Sequence, residues 1–180
     1  MNEQELAQRL ERRIRTIPNY PKPGIQFKDI TTLLGDAEGF KESIEWMASV
    51  CKRTKVDRVA GIESRGFIFG AALANRIGVG FVPIRKKGKL PYDTVSARYF
   101  LEYGADAVEM HVDAIHPGES VVMVDDLLAT GGTAEAACRL IDHRQGKVAA
   151  CLFLIELAFL PGRERLRGRD VHAIIQVKGE

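Results

Sequence analysis

Asp125 and Asp126 stand side by side at the end of an apolar run, and Ala129, Thr130, Gly131, Gly132 and Thr133 follow them closely. Adjacent like charges resist ionising together unless a cation or several hydroxyl donors face them, so a polyol or a metal-bound ligand suits this pair. Successive strand side chains point to opposite faces, and the two carboxylates can share a ligand only where the chain is leaving a strand. The Thr-Gly-Gly-Thr run reads as the opening of a helix, whose first N–H groups lack internal partners and whose dipole adds partial positive charge. Glycines let that backbone close around an anion while the threonine hydroxyls add donors, and phosphate is the expected guest. A bare Gly-Gly is more simply a turn; the acidic pair before it makes a ligand loop the better reading.

Two other stretches carry chemistry. In GIESRGF a strand ends at Ile62 and a helix begins near Gly66, so backbone amides and Arg65 offer a second anion site. Arg85, Lys86, Lys87 and Lys89 crowd around Gly88 in a long segment without helical period, which by itself is a solvated loop or, beside an anion site, a lid. Familiar phosphate motifs fail: Thr133 stands where a Walker A loop needs lysine, and Gly78-Val79-Gly80 lacks the third glycine of the dinucleotide fingerprint. Acidic residues for vicinal hydroxyls joined to a monophosphate loop describe a ribose 5-phosphate site.

The elements that must position these groups alternate. Leu6, Leu10, Ile14 and Ile17 repeat at helical spacing until Pro18, and NYPKPGIQF reads as an irregular connector. A helix is expected from Phe40 to Cys51, a strand over 56–62, a helix ending at Gly78, and a strand over 79–84. SVVMVD is apolar without alternation, as in a parallel strand buried on both faces. A helix carrying Ala134, Ala137, Cys138 and Ile141 follows, then strands VAACLFLIE and VHAIIQV. The order predicts an α/β fold with a doubly wound, mainly parallel sheet, and ligands beyond the carboxyl ends of its strands. One domain spanning 1–180 is expected, with a small N-terminal hood over about 1–35 and a flexible lid over about 85–104.

Composition fits this: 180 residues, 46% hydrophobic and 28% charged, suit a soluble globular protein, and a net charge of +2 is too mild for nucleic-acid binding as the main activity. Cys51, Cys138 and Cys151 are odd in number and include no C-x-x-C pair, which suggests neither a disulfide framework nor a zinc site, and a reducing compartment. The charged N-terminus has no apolar core of signal-peptide type, and the stretch from Val148 to Leu160 is interrupted by Glu156, so a cytoplasmic protein without a membrane span is expected. The four histidines show no ligand spacing.

VVMVDDLLATGGT resembles the phosphoribosyl-pyrophosphate motif of the type I phosphoribosyltransferases, and its wording is similar to that of the adenine phosphoribosyltransferases within that family. The resemblance extends in order through YPKPGIQFKDIT, GIESRGFIFG, RKKGKLPYDTVS, LEYG and IELAFLPGRERL. It implies transfer of ribose 5-phosphate from phosphoribosyl pyrophosphate to adenine, giving AMP and pyrophosphate in purine salvage. Asp125 and Asp126 would hold the ribose, and residues 129–133 the 5-phosphate. Glu63, Ser64, Arg65, Arg85, Lys86, Lys89 and Tyr103 would face pyrophosphate, with a non-proline cis peptide near Glu63 and Ser64. Glu102 would act as general acid toward the purine and Arg65 would stabilise the leaving group. Phe27 and Leu157 would sandwich the base, and backbone groups of Gln26 and Lys28 would read it.

The resemblance further implies Mg2+, held mainly by phosphoribosyl pyrophosphate, with Asp125 or Asp126 contributing through water. A homodimer is also implied, leaving open whether Arg85 serves its own site or a neighbour's. Two rivals remain at this stage: the same reaction on hypoxanthine, guanine or xanthine, and a non-catalytic sensor of phosphoribosyl pyrophosphate.

Overall fold

The chain begins with an amphipathic helix that ends earlier than its apolar spacing suggests. In the computed structural model, which describes residues 2–101 and 104–179, α1 spans Glu3–Glu11. Asn2 caps it reciprocally with Glu5: its side chain accepts from the Glu5 N–H at 2.8 Å, and the Glu5 carboxylate accepts from the Asn2 N–H at 3.2 Å. Ile14 and Ile17, expected to extend the helix, lie beyond it. The chain instead forms β1 (Arg15–Pro18), which pairs antiparallel with β2 (Gln26–Asp29) and places Ile17 opposite Phe27. Arg15 Nε donates to Asp29 Oδ2 at 3.0 Å across this ribbon. The NYPKPGIQF connector is therefore irregular only up to Ile25. A short turn of helix, α2 (Thr31–Leu34), completes this N-terminal unit.

The remaining elements alternate as the sequence predicts, with a hairpin and a short helix added. They are α3 (Ala37–Cys51), β3 (Arg58–Ile62), α4 (Arg65–Ile77), β4 (Gly80–Lys86), β5 (Thr94–Leu101), β6 (Gly104–His111), β7 (Ser120–Leu128), α5 (Gly132–His143), β8 (Lys147–Leu157), α6 (Gly162–Arg165) and β9 (Val171–Val177). The sheet order is β5-β6-β4-β3-β7-β8-β9, parallel from β4 through β9 and antiparallel at the β5 and β6 edge. Val122 and Val124 pack with Met47, Phe69 and Leu73 of α3 and α4, whereas Val121 and Met123 pack with Ala137 and Ile141 of α5. Helices thus cover both faces, and the unalternating apolar run of β7 is what such burial requires.

The added helix is α6, and the added hairpin, β5 and β6, occupies much of the span expected as a lid. Val95, Ala97 and Tyr99 alternate along β5 and pack on the α5 side of the sheet. Among the described residues no helix is long and apolar enough to cross a membrane.

Candidate active site

The order of the central strands decides where a ligand can sit. After β3 the chain crosses to β4 on one side, and after β7 it crosses to β8 on the other, so β3 and β7 flank the point where the winding reverses. They run in parallel, with Gly61 opposite Val124, and their carboxyl ends deliver GIESRGF and the acidic pair to the same rim. Gly66 lets them meet: a Cβ there would come within 2.7 Å of Asp125 Oδ1 and 2.9 Å of the Val124 carbonyl. The first turn of α4 lies directly on the end of β7 for this reason.

A cleft of about 560 Å³ opens at this rim. It brings together Glu63, Ser64, Arg65, Lys86, Asp125, Asp126 and Thr133 from the sequence-based set, and adds Tyr99. Asp126 is 4% exposed, and its Oδ2 receives no hydrogen bond although Arg65 Nη2 stands 2.9 Å away as an ion pair. Asp125 Oδ1 accepts the Asp126 N–H at 2.9 Å. Burial and the neighbouring Asp126 charge push the Asp125 carboxyl well above the usual carboxylate range. Burial also raises Asp126, against the pull of the Arg65 charge. An under-compensated pair with an orphaned, buried oxygen is suited to hydroxyl donors or to metal-bound water.

The peptide between Glu63 and Ser64 is cis, as the resemblance implies. The Glu63 carboxylate is occupied by its own neighbours: Oε2 accepts from Arg85 Nε at 3.1 Å and from the Lys86 N–H at 3.0 Å, and Oε1 accepts from Arg85 Nη2 at 3.1 Å. These bonds, the Arg85 guanidinium first, hold Glu63 below its ordinary pKa. The Glu63 N–H is itself spent on the Ile84 carbonyl at 2.8 Å. Glu63 accordingly presents no donor to pyrophosphate; it orders Arg85 within its own chain. Arg85 Nη1 also donates to the Lys89 carbonyl at 2.9 Å, so the cationic turn is organised before a ligand arrives.

On the other side, Gly131 takes a left-handed conformation (φ 81°) and opens α5, which begins at Gly132. Thr130 is exposed and Thr133 half-buried. The Tyr99 hydroxyl donates to Asp106 Oδ2 at 3.0 Å and faces the Thr133 hydroxyl, joining the hairpin to the helix start. Sequence reasoning missed Tyr99; the alternation of Val95, Ala97 and Tyr99 was the available signal.

Phe27, Gln26, Lys28 and Leu157 do not line this cleft. Phe27 nevertheless borders it, because the Arg65 guanidinium carbon lies 5.3 Å from the centre of its ring, a cation–π contact. Tyr20 packs edge-on against the Phe27 ring at 5.2 Å. Lys28 Nζ donates to Thr16 Oγ1 at 3.0 Å, and Lys28 lies opposite Thr16 in the β1 and β2 ribbon. Leu157 is half-buried at the end of β8. Glu102 and Tyr103 lie outside the described residues.

Comparison with known proteins follows the same lines. Residues 31–173 match the sequence family described as the phosphoribosyl transferase domain. The chain belongs to the phosphoribosyltransferase family. Among its relatives in that family, the adenine phosphoribosyltransferase of Chelativorans sp. (strain BNC1) is 52% identical over 178 residues, covering 98% of each chain. A crystal structure of adenine phosphoribosyltransferase from Thermoanaerobacter pseudethanolicus superposes with a TM-score of 0.92 at 51% identity, covering 94% of this chain and 99% of that one. The enzyme from Saccharomyces cerevisiae, solved with an imino-altritol bisphosphate and adenine, superposes with a TM-score of 0.90 at 38% identity, covering 95% and 99%. The doubly wound, mainly parallel sheet read from the strand and helix order, and the phosphoribosyltransferase fold that the motif resemblance implies, are thus the fold observed.

Proposed function

We infer that this phosphoribosyltransferase acts on adenine, transferring ribose 5-phosphate from phosphoribosyl pyrophosphate and releasing AMP and pyrophosphate. The observation that carries this is the rim where β3, α4 and β7 meet, with the orphaned Asp126 oxygen beside Arg65 and a phosphate loop at the start of α5. Near-full-length identity to adenine phosphoribosyltransferases supports the choice of base, as does the yeast relative with adenine bound.

The ribose hydroxyls of phosphoribosyl pyrophosphate donate to Asp125 and Asp126, satisfying the buried oxygen and supplying the partners the pair lacks. The 5-phosphate takes the N–H groups at the start of α5 and the hydroxyls of Thr130 and Thr133. Ser64, Arg65, Lys86, Lys89 and Arg85 present donors and positive charge to pyrophosphate. Adenine stacks on Phe27 opposite Leu157 and attacks C1 as pyrophosphate leaves. The ribose passes through an oxocarbenium-like state that the carboxylates favour, while Arg65 stabilises the departing charge. Glu102 assists by holding a proton at the purine while the ring N–H proton displaced by the new bond to C1 passes to solvent, a role typically contributing about 10²–10⁴-fold.

Mg2+ fits the site as a visitor. Among the described residues no group of three or more His, Cys, Asp or Glu side chains could hold a metal, and the Asp126 oxygen suits a metal-bound water. Bound mainly to the phosphates of the substrate, it would shield the charge of pyrophosphate. The homodimer that the resemblance implies is part of this proposal. A cytoplasmic location suits the free, buried cysteines.

The direct test is release of AMP and pyrophosphate in equal amounts from adenine and phosphoribosyl pyrophosphate. Tight binding without turnover would instead favour a sensor of phosphoribosyl pyrophosphate.

A further inference from the structure

The second half of IELAFLPGRERL carries none of the groups assigned to a ligand, yet it lies against residues 129–131. A Cβ at Gly131 would stand 2.8 Å from the Gly162 carbonyl oxygen and 3.0 Å from the Gly162 Cα. A Cβ at Gly162 would run into the Ala129 carbonyl oxygen and come within 2.9 Å of Leu128 Cγ. The two backbones are therefore in direct contact, and neither can shift without the other.

Arg163 fixes where that contact occurs. Its Nε donates to Glu156 Oε1 at 2.8 Å, its Nη2 to Glu156 Oε2 at 2.6 Å, and its Nη1 to the Val171 carbonyl at 3.0 Å. Glu156 is 4% exposed at the end of β8, where it lies opposite Leu128 of β7. A bidentate pair on a buried carboxylate has one geometry, so it sets the position of α6 against two strands at once. Leu166, 2% exposed, seats the far end of α6 in the cluster with Leu128 and Ala134.

Resting on the functional reading above, we propose that Gly162 and Arg163 are positioning residues for the 5-phosphate. The Glu156 and Arg163 pair holds α6, and the Gly162 backbone holds residues 129–131 in their anion-binding shape. The pyrophosphate side, built on β3 and α4, shares none of these contacts.

That separation supplies the test. Dissociation constants for ribose 5-phosphate and for pyrophosphate, each with Mg2+, would be measured calorimetrically on the wild type, Gly162→Ala, Arg163→Gln and Arg163→Lys, with Tm recorded for each. Gly162→Ala is expected to weaken ribose 5-phosphate by roughly 10- to 100-fold, the scale of a small misplacement in a binding constellation, and to leave pyrophosphate within about twofold. Arg163→Gln should act in the same direction. Arg163→Lys, which keeps the charge but not the fork, should fall between Arg163→Gln and the wild type and keeps the test decisive if Gly162→Ala fails to fold. Equal weakening of both ligands, or unchanged ribose 5-phosphate affinity, would overturn the positioning role. A wild type that binds neither ligand would overturn the functional reading and this proposal with it.

Discussion

Arg65 and Asp126 face each other across the rim with Nη2 2.9 Å from Oδ2, and that oxygen still receives no hydrogen bond. The pair joins the pyrophosphate side of the cleft to the ribose side and leaves one acceptor for a ligand. Replacing Asp126 with Asn keeps the shape and removes the charge. We expect kcat/KM for phosphoribosyl pyrophosphate to fall by roughly 100- to 1000-fold, the scale seen when one preorganised electrostatic contact is lost, with Tm preserved. Steady-state kinetics beside thermal unfolding checks this; an unchanged kcat/KM would remove Asp126 from the site.

Asp125 leads to a prediction for stability. Its folded pKa is raised by burial and by the Asp126 charge. The stabilisation it contributes is therefore fully present below its unfolded value of about 3.9 and is lost as pH rises through the folded pKa. Asp125→Asn removes that loss, so the ligand-free variant should melt higher than wild type at neutral pH, by roughly 2–4 °C for each kcal/mol regained in a domain of this size. The gap should shrink toward acid pH while activity falls. A variant that melts lower at neutral pH would contradict this.

Phe27 tests the base pocket. Base–aromatic stacking is worth about 1–3 kcal/mol, so Phe27→Ala should raise KM for adenine by roughly tenfold or more and change KM for phosphoribosyl pyrophosphate much less. The Arg65 contact on the same ring makes a small effect on pyrophosphate release the expected secondary change. Equal effects on both substrates would place Phe27 in the core rather than the pocket.

Much of this site was legible because its signals are local. SVVMVD followed by a second Asp and by TGGT shows a buried strand, its end and a helix start within one window, and GIESRGF does the same for β3 and α4. What escaped depends on partners distant in sequence. Ile14 and Ile17 keep a helical spacing, but Arg15 finds Asp29 across the ribbon and the chain becomes β1. The β5 and β6 hairpin follows a cationic run without periodicity, and its only local signal is the alternation of Val95, Ala97 and Tyr99. The resemblance implies Glu63 at pyrophosphate, but its bonds to Arg85, 22 positions away in the chain, have no signature in the sequence. Gly162 has no meaning until residues 129–131 lie against it.

Acid should loosen the N-terminal unit through Asp29. Hydrogen bonds from Arg15 first, then from the Thr31 hydroxyl and N–H, lower its pKa to about 2. A depressed carboxyl contributes stability that is present above its unfolded value of about 3.9 and is lost as pH falls through its folded value. The acid limb of the Tm profile should therefore be shallower in Asp29→Asn than in wild type between pH of about 4 and about 2, with a lower Tm at neutral pH. Parallel acid limbs would remove Asp29 as the titrating group.

The most direct measurement is a competition in which adenine, hypoxanthine, guanine and xanthine are supplied together with phosphoribosyl pyrophosphate and Mg2+, and the mononucleotides formed are separated and counted. AMP as the dominant product, with pyrophosphate in equal amount, is the expected result. A different mononucleotide would leave Asp125, Asp126 and the phosphate loop in place and contradict the base pocket around Phe27, and the absence of any mononucleotide would contradict catalysis itself.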